Sequence, residues 1–123
     1  MIGADLRSAN LSEASLKQAD LSFADLTGAT LYHAKLTGAN LSTAELSLAQ
    51  LHDADLTGAN LFGADLYGAN LCNTVLNDAV LNGADLQDAT LSGAKLQGAH
   101  YNEETRWSDG VDPVKLGAIL ITT

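Results

Sequence analysis

The chain is almost without several features on which small proteins ordinarily depend. It has one cysteine, Cys72, and one proline, Pro113, among 123 residues. A single thiol excludes an intrachain disulfide and suits a reducing compartment, so a cytoplasmic location is expected. With no proline before Pro113, nothing in the chain reads as a linker between domains. Aromatic residues make up only 5% of the chain, which excludes a core built around large rings. Basic residues are scarce as well, six against fifteen acidic, for a net charge of −9. None falls between Lys35 and Lys95, a stretch holding Glu45, Asp53, Asp55, Asp65, Asp78, Asp85 and Asp88. Such a surface repels phosphate backbones, which proteins bind through clustered Lys and Arg, so no direct nucleic-acid binding is expected. The longest apolar run, 118–121, is far too short to cross a bilayer. No basic-then-apolar leader precedes Ala4, so neither membrane insertion nor export is expected.

What the chain does have is a period. Leucine recurs at every fifth position from Leu6 to Leu96. Two residues before each stands an alanine, from Ala4 to Ala94, except at Thr74; Ala99 and Tyr101 carry the frame once further. A period of five leaves no apolar stripe on a helix, since successive leucines would advance by roughly 140°. It is odd, so it cannot be one long strand with alternation of two, and it is not the spacing of a coiled coil, about 3.5. A short extended segment followed by a corner does fit. In Ala4-Asp5-Leu6 the outer two residues point one way and the middle one the other. The next two positions are filled mostly by Ser, Thr, Gly, Asn, Asp and Gln, which is turn chemistry.

Pentads such as Ala39-Asn40-Leu41-Ser42-Thr43 and Ala64-Asp65-Leu66-Tyr67-Gly68 resemble those of pentapeptide-repeat proteins. The resemblance covers residues 2 to about 102. It implies an all-β solenoid: a right-handed quadrilateral β-helix with four pentads to a coil, here about five coils. The segment from Thr105 to Pro113 resembles a closing segment that follows the repeat in cyanobacterial members. The expected organisation is therefore a β-helix over 1–102 and a capping segment over 103–123. Within the cap, Asp112-Pro113 reads as an N-cap and first-turn proline, so a short helix is expected from about Pro113 to Ala118.

Stacking at four pentads per coil sorts the outward residues into ladders. One side collects Asp5, Asp25, Glu45, Asp65 and Asp85, acidic at every coil, whereas the other three are mixed. Carboxylates about 4.8 Å apart repel by about 1 kcal/mol in water, so the ladder is a candidate face for a cationic partner. It also admits a plainer account, in which Asp is favoured for bonding nearby turn amides. Some relatives of this kind are thought to inhibit DNA gyrase by imitating the charge of DNA. The mimics are longer rods rich in central phenylalanine, where this chain has leucine throughout.

Other outward residues invite chemistry with less support. Tyr32, His52 and Cys72 stack in one column, and Glu13, His33, Asp53 and Asn73 in the column beside it. Imidazole, thiolate and carboxylate suit a zinc-like ion, but a solenoid corner is convex where binding sites are concave. No metal, no cofactor and no catalytic residue is expected, and no catalytic motif is found. Larger apolar residues fall outside at Phe23, Leu48, Phe62, Tyr67, Val75 and Val80, of which Phe62 and Tyr67 are expected to adjoin across a corner as exposed aromatic contacts. Thr74, beside Val75, is expected to widen the coil slightly. The tail supplies apolar residues to close one end while only Met1-Ile2-Gly3 precedes the first pentad, so weak homodimerisation through a coil end is expected. The function expected is a non-enzymatic scaffold for an unidentified protein partner, the alternative being a DNA-mimicking inhibitor of, or protector against, gyrase.

Overall fold

The computed structural model describes residues 1–122; Thr123, the last residue of the expected capping segment, lies outside them. Five-residue units wind into a solenoid whose sides pair in parallel at a register of twenty residues. Four ladders result, which shows the four-sided closure directly. They run Asp5–Asp25–Glu45–Asp65–Asp85, Asn10–Thr30–Gln50–Asn70–Thr90, Ser15–Lys35–Asp55–Val75–Lys95 and Asp20–Asn40–Asn60–Val80–His100. Each side is so short that only its outward residue forms a bridge. Alanines and leucines face the axis and are buried from Leu21 to Ala99, with Leu56 wholly inaccessible. Those of the first coil are only half-buried, since nothing described stacks beneath them.

One pentad, Ala24-Asp25-Leu26-Thr27-Gly28, shows why the unit has five residues. The Asp25 N–H donates to Ala4 O (2.9 Å) of the coil before, and the Leu26 and Gly28 N–H groups to Glu45 O (2.7 Å) and Ser47 O (2.9 Å) of the coil after. The Ala24 N–H closes the preceding turn on Leu21 O at 3.1 Å. That leaves the Thr27 N–H, which donates to the Asp25 carboxylate at 3.0 Å. Every backbone donor of the unit is thereby satisfied, as buried or packed backbone requires. The second turn residue is left-handed throughout the repeat, which explains the glycines there, such as Gly28 with φ 67°.

The closing segment is built otherwise than expected. Residues 113–117 form a single turn, not a helix. Asp112 does cap it, accepting the Lys115 N–H at 3.3 Å. Gly117, at φ 94°, then ends it at once: its N–H donates to Val114 O (3.0 Å) and that of Ala118 to Pro113 O (3.0 Å). This is the paired bonding that terminates helices, reached after one turn. The chain then returns to the solenoid. Strand β1 (His100–Tyr101) pairs in parallel with β2 (Ile119–Leu120). Thr105-Arg106-Trp107 fills another side, with Arg106 bridged to Asp85 at a register lengthened by one residue. Trp107 meets Tyr101 edge to face, ring centroids 5.4 Å apart.

Thr74 is wholly buried in an alanine position, and its hydroxyl donates to Leu51 O at 2.8 Å. Thr105, in the equivalent place in the tail, bonds Leu81 O in the same way at 2.8 Å. The hydroxyl therefore finds a carbonyl one coil back that already accepts one turn amide.

Candidate interaction face

Five of the acidic residues form one continuous ladder on one face of the solenoid. The outward Asp or Asn of a pentad caps the turn that follows it, accepting the one N–H without a backbone partner. Asp25, Asp65 and Asp85 accept those of Thr27, Tyr67 and Gln87, each at 3.0 Å. Asn10, Asn40, Asn60 and Asn70 do the same on other sides, at 3.0–3.1 Å. The cap needs an oxygen three bonds beyond Cα, not a charge. Capping thus accounts for the Asx residues but not for the choice of Asp over Asn on this face, nor for Glu45, whose side chain makes no such bond.

Electrostatically the ladder is not uniform. Arg7 binds Asp5 at 2.8 Å and approaches Asp25 at 3.9 Å. The Arg7 bond holds the Asp5 carboxyl down to about 2. The Thr27 hydroxyl, donating at 2.6 Å, is the main reason that Asp25 is lowered. At the other end the rung after Asp85 carries Arg106. Glu45, Asp65 and Asp85 have no ion-pair partner among the described residues, the Arg106 link to Asp85 being a backbone bridge. The sequence reading missed this bracketing by Arg7 and Arg106. Arg7 could have been found from its position two after Asp5; Arg106 could not, because a one-residue insertion takes it out of the period.

Phe62 and Tyr67 do not adjoin across one corner. They occupy the turns at opposite ends of the Ala64-Asp65-Leu66 side, so they stand on either border of the acidic face. Both are exposed, 53% and 45%, and the Tyr67 hydroxyl donates to Asp88 at 2.8 Å, a bond that raises its pKa.

The histidine and cysteine corner has a structural explanation. Tyr32 and His52 stack with ring centroids 3.9 Å apart, and the Asn70 amide donates to His52 Nδ1 at 3.2 Å if the ring proton is on Nε2. His33 lies 3.9 Å from Asp53, and Cys72 is half-buried. An open hollow of about 610 Å³ lies beside them, lined by Glu13, Lys17, His33, Lys35, Asp53 and Asp55 among others. Among the described residues no group of three or more His, Cys, Asp or Glu is arranged to hold a metal ion. No helix among them is long and apolar enough to cross a membrane.

Solved structures place this geometry. The chain is similar to a pentapeptide-repeat protein, alr5209, from Nostoc Pcc 7120, at 34% identity and TM-score 0.68, covering 95% of this chain and 84% of that one. It is similar also to Rfr23 of the cyanobacterium Cyanothece 51142, at 31% identity and TM-score 0.61, covering 85% and 88%. QnrB1, a plasmid-mediated fluoroquinolone resistance protein, shares the fold at 20% identity and TM-score 0.60, covering 91% and 67%. No curated protein matches the chain. The family described as pentapeptide repeats (8 copies) matches residues 1–37, 24–63 and 64–100. With the twenty-residue ladders, the capped turns and these relatives together, the chain belongs to the pentapeptide-repeat family.

Proposed function

We propose that this protein is a non-enzymatic interaction scaffold that binds a protein partner through its acidic face. The observation that carries this reading is the ladder itself. Five acidic residues are held in fixed register on a solenoid, and three of them, Glu45, Asp65 and Asp85, stand in this row of like charges with no ion-pair partner among the described residues. Capping needs no charge, so a function outside the fold accounts for it. The partner is cationic, by charge complementarity. The interior of the repeat is filled by alanine and leucine, which leaves catalysis no enclosed site there. A cytoplasmic location, the absence of a resident cofactor and a separate capping role for 103–122 belong to the same proposal, as does weak self-association through a coil end, which sedimentation across a concentration range tests.

The experiment is affinity capture with the wild type and with a Glu45→Gln, Asp65→Asn variant, which retains the oxygen that caps the turn after Asp65 and removes two charges that have no ion-pair partner among the described residues. A partner retained by the first and lost by the second supports the scaffold. Identical recovery by both removes the acidic face from the proposal.

The acidic ladder also favours a second reading, DNA mimicry directed at gyrase. The likeness to QnrB1 supports only the fold. A supercoiling assay separates the readings, since the mimic inhibits gyrase or protects it from a fluoroquinolone and the scaffold does neither.

A further inference from the structure

The exposed large apolar residues of the repeat are not scattered. Among the described residues between Gly3 and the closing segment they are Phe23, Leu48, Phe62 and Tyr67. All four lie on the two corners that border the acidic side. Phe23 and Phe62 occupy the turns entering it, and Leu48 and Tyr67 the turns leaving it. The other two corners carry none. Two of the ladder's three carboxylates without an ion-pair partner among the described residues, Glu45 and Asp65, sit on the same middle rungs as Leu48, Phe62 and Tyr67. Charge without a counter-ion and apolar surface without cover therefore coincide.

We infer that this patch docks a cationic amphipathic helix of a partner protein, one whose Lys or Arg stripe is flanked on both sides by apolar residues. The inference rests on the scaffold reading and names the chemistry of its partner. Charge complementarity decides the stripe. Phosphate-bearing partners, nucleic acid or anionic membrane, are repelled by the ladder. The apolar borders decide the flanks, because aromatic and leucine side chains gain by leaving water and a purely cationic surface offers them nothing. Spacing decides the helix. Rungs stand about 4.8 Å apart. Basic residues at i, i+3 and i+4 rise about 4.5–6 Å along a helix, close enough to meet two or three rungs. On an extended strand same-face residues are nearly 7 Å apart and lose register after one. A helix about 10 Å wide laid along the solenoid axis can put its stripe on Glu45 and Asp65 and its flanks on the two borders.

The test uses a synthetic helical peptide with a lysine stripe between leucine flanks, and an isomer of identical composition with the pattern scrambled. Binding to the whole chain is read by fluorescence anisotropy at low and high salt. The patterned peptide is expected to bind at least about tenfold more tightly than the isomer. A Phe62→Ser, Tyr67→Ser variant should lose roughly tenfold in affinity for it, and the Glu45→Gln, Asp65→Asn variant should lose affinity together with most of its salt dependence. A native circular dichroism spectrum and a cooperative melting transition, retained by both, establish that the variants fold. Equal binding of the two peptides, no binding of either, or indifference to Phe62→Ser, Tyr67→Ser overturns the inference. If any of these occurs while capture still depends on Glu45 and Asp65, the scaffold stands and its partner is not an amphipathic helix.

Discussion

At the scale of single residues the second turn position is the costly one. It takes a left-handed backbone at every pentad, and eleven side-chain-bearing residues adopt it, Phe23 (φ 60°) and Leu48 (φ 59°) among them. Left-handed backbone costs an ordinary residue roughly 1–2 kcal/mol, while glycine costs about 0.5–1 through its freer unfolded chain. Phe23 is 67% exposed, so it recovers little by burial. Phe23→Gly should therefore raise stability by about 0.5–1 kcal/mol, measured by urea unfolding. A loss would mean that the ring makes a contact worth more than its strain. Leu48 differs, since it leans over the next coil: a Cβ added at Gly68 would come within 2.9 Å of its Cδ2.

The Thr27 hydroxyl gives a second residue-scale prediction. It is the main cause of the lowered Asp25 pKa, with the Thr27 N–H next. A carboxylate depressed by folding contributes stability that is present above its unfolded value, 3.8, and lost as pH falls through the folded one. Thr27→Val removes the hydroxyl and keeps the amide, so the Asp25 pKa should rise and the acid-induced loss of stability should shrink. NMR titration of the Asp25 carboxyl checks the first and melting temperature between pH 5 and about 2 the second. An unmoved titration would show that the amide alone holds Asp25 down.

At the scale of the element, the Asx cap explains the pentad better than turn propensity does. Asp65→Asn keeps the oxygen that accepts the Tyr67 N–H at 3.0 Å, and Asp65→Ala removes it. Both relieve the same charge, so the difference between them isolates the cap. Ala should be less stable than Asn by about 1 kcal/mol in urea unfolding, and parity would show that water serves the amide equally well. The extended-plus-corner unit and its inward alanine and leucine were legible in the sequence because a strict period repeats one solution many times. The cap was legible as the plainer account of the Asp residues, bonding to nearby turn amides. Its necessity appears when the five N–H groups are followed one by one to their acceptors. The tail was legible least. Asp112-Pro113 predicts a helix that does not form: Asp112 caps a single turn, which Gly117 ends. The insertion after Tyr101 hid Thr105-Arg106-Trp107 as a further side of the solenoid, although the residue types are those of the repeat: small, outward and large apolar. The Thr74 hydroxyl's bond to Leu51 O is not something composition can reveal.

At the scale of the molecule, stability comes from stacking, so its weak points follow from position along the axis. Leu56 is inaccessible and lies between coils on both sides. Leu56→Lys would bury an unpaired ammonium, and the chain is expected not to fold. A native circular dichroism spectrum and melting temperature would sink the stacked-leucine account. Leu6→Lys, in the half-buried first coil, should be tolerated far better, because the ammonium can reach water there.

Charge acts across the same stack, and it is where the fold and the proposed function oppose each other. Neighbouring carboxylates on the acidic ladder repel by about 1 kcal/mol per rung in a water-like dielectric, more near the protein surface. Arg7 pairs with Asp5 and approaches Asp25, which leaves Glu45, Asp65 and Asp85 without an ion-pair partner among the described residues. Replacing Glu45 by Gln and Asp65 by Asn removes both charges while the Asn retains the cap, so the solenoid should become equally or more stable. The gain should be largest near 0.01 M salt, where screening extends over about 30 Å, and should vanish near 1 M, where it is about 3 Å, shorter than the rung spacing. Melting temperatures of the two proteins across that range measure it. A variant less stable than the wild type at every salt would mean that these carboxylates make specific bonds the fold requires. Their place on the face would then be structural. A variant that is more stable at low salt and converges with the wild type at high salt would mean that the fold is better off without them, which leaves binding as the reason they are there.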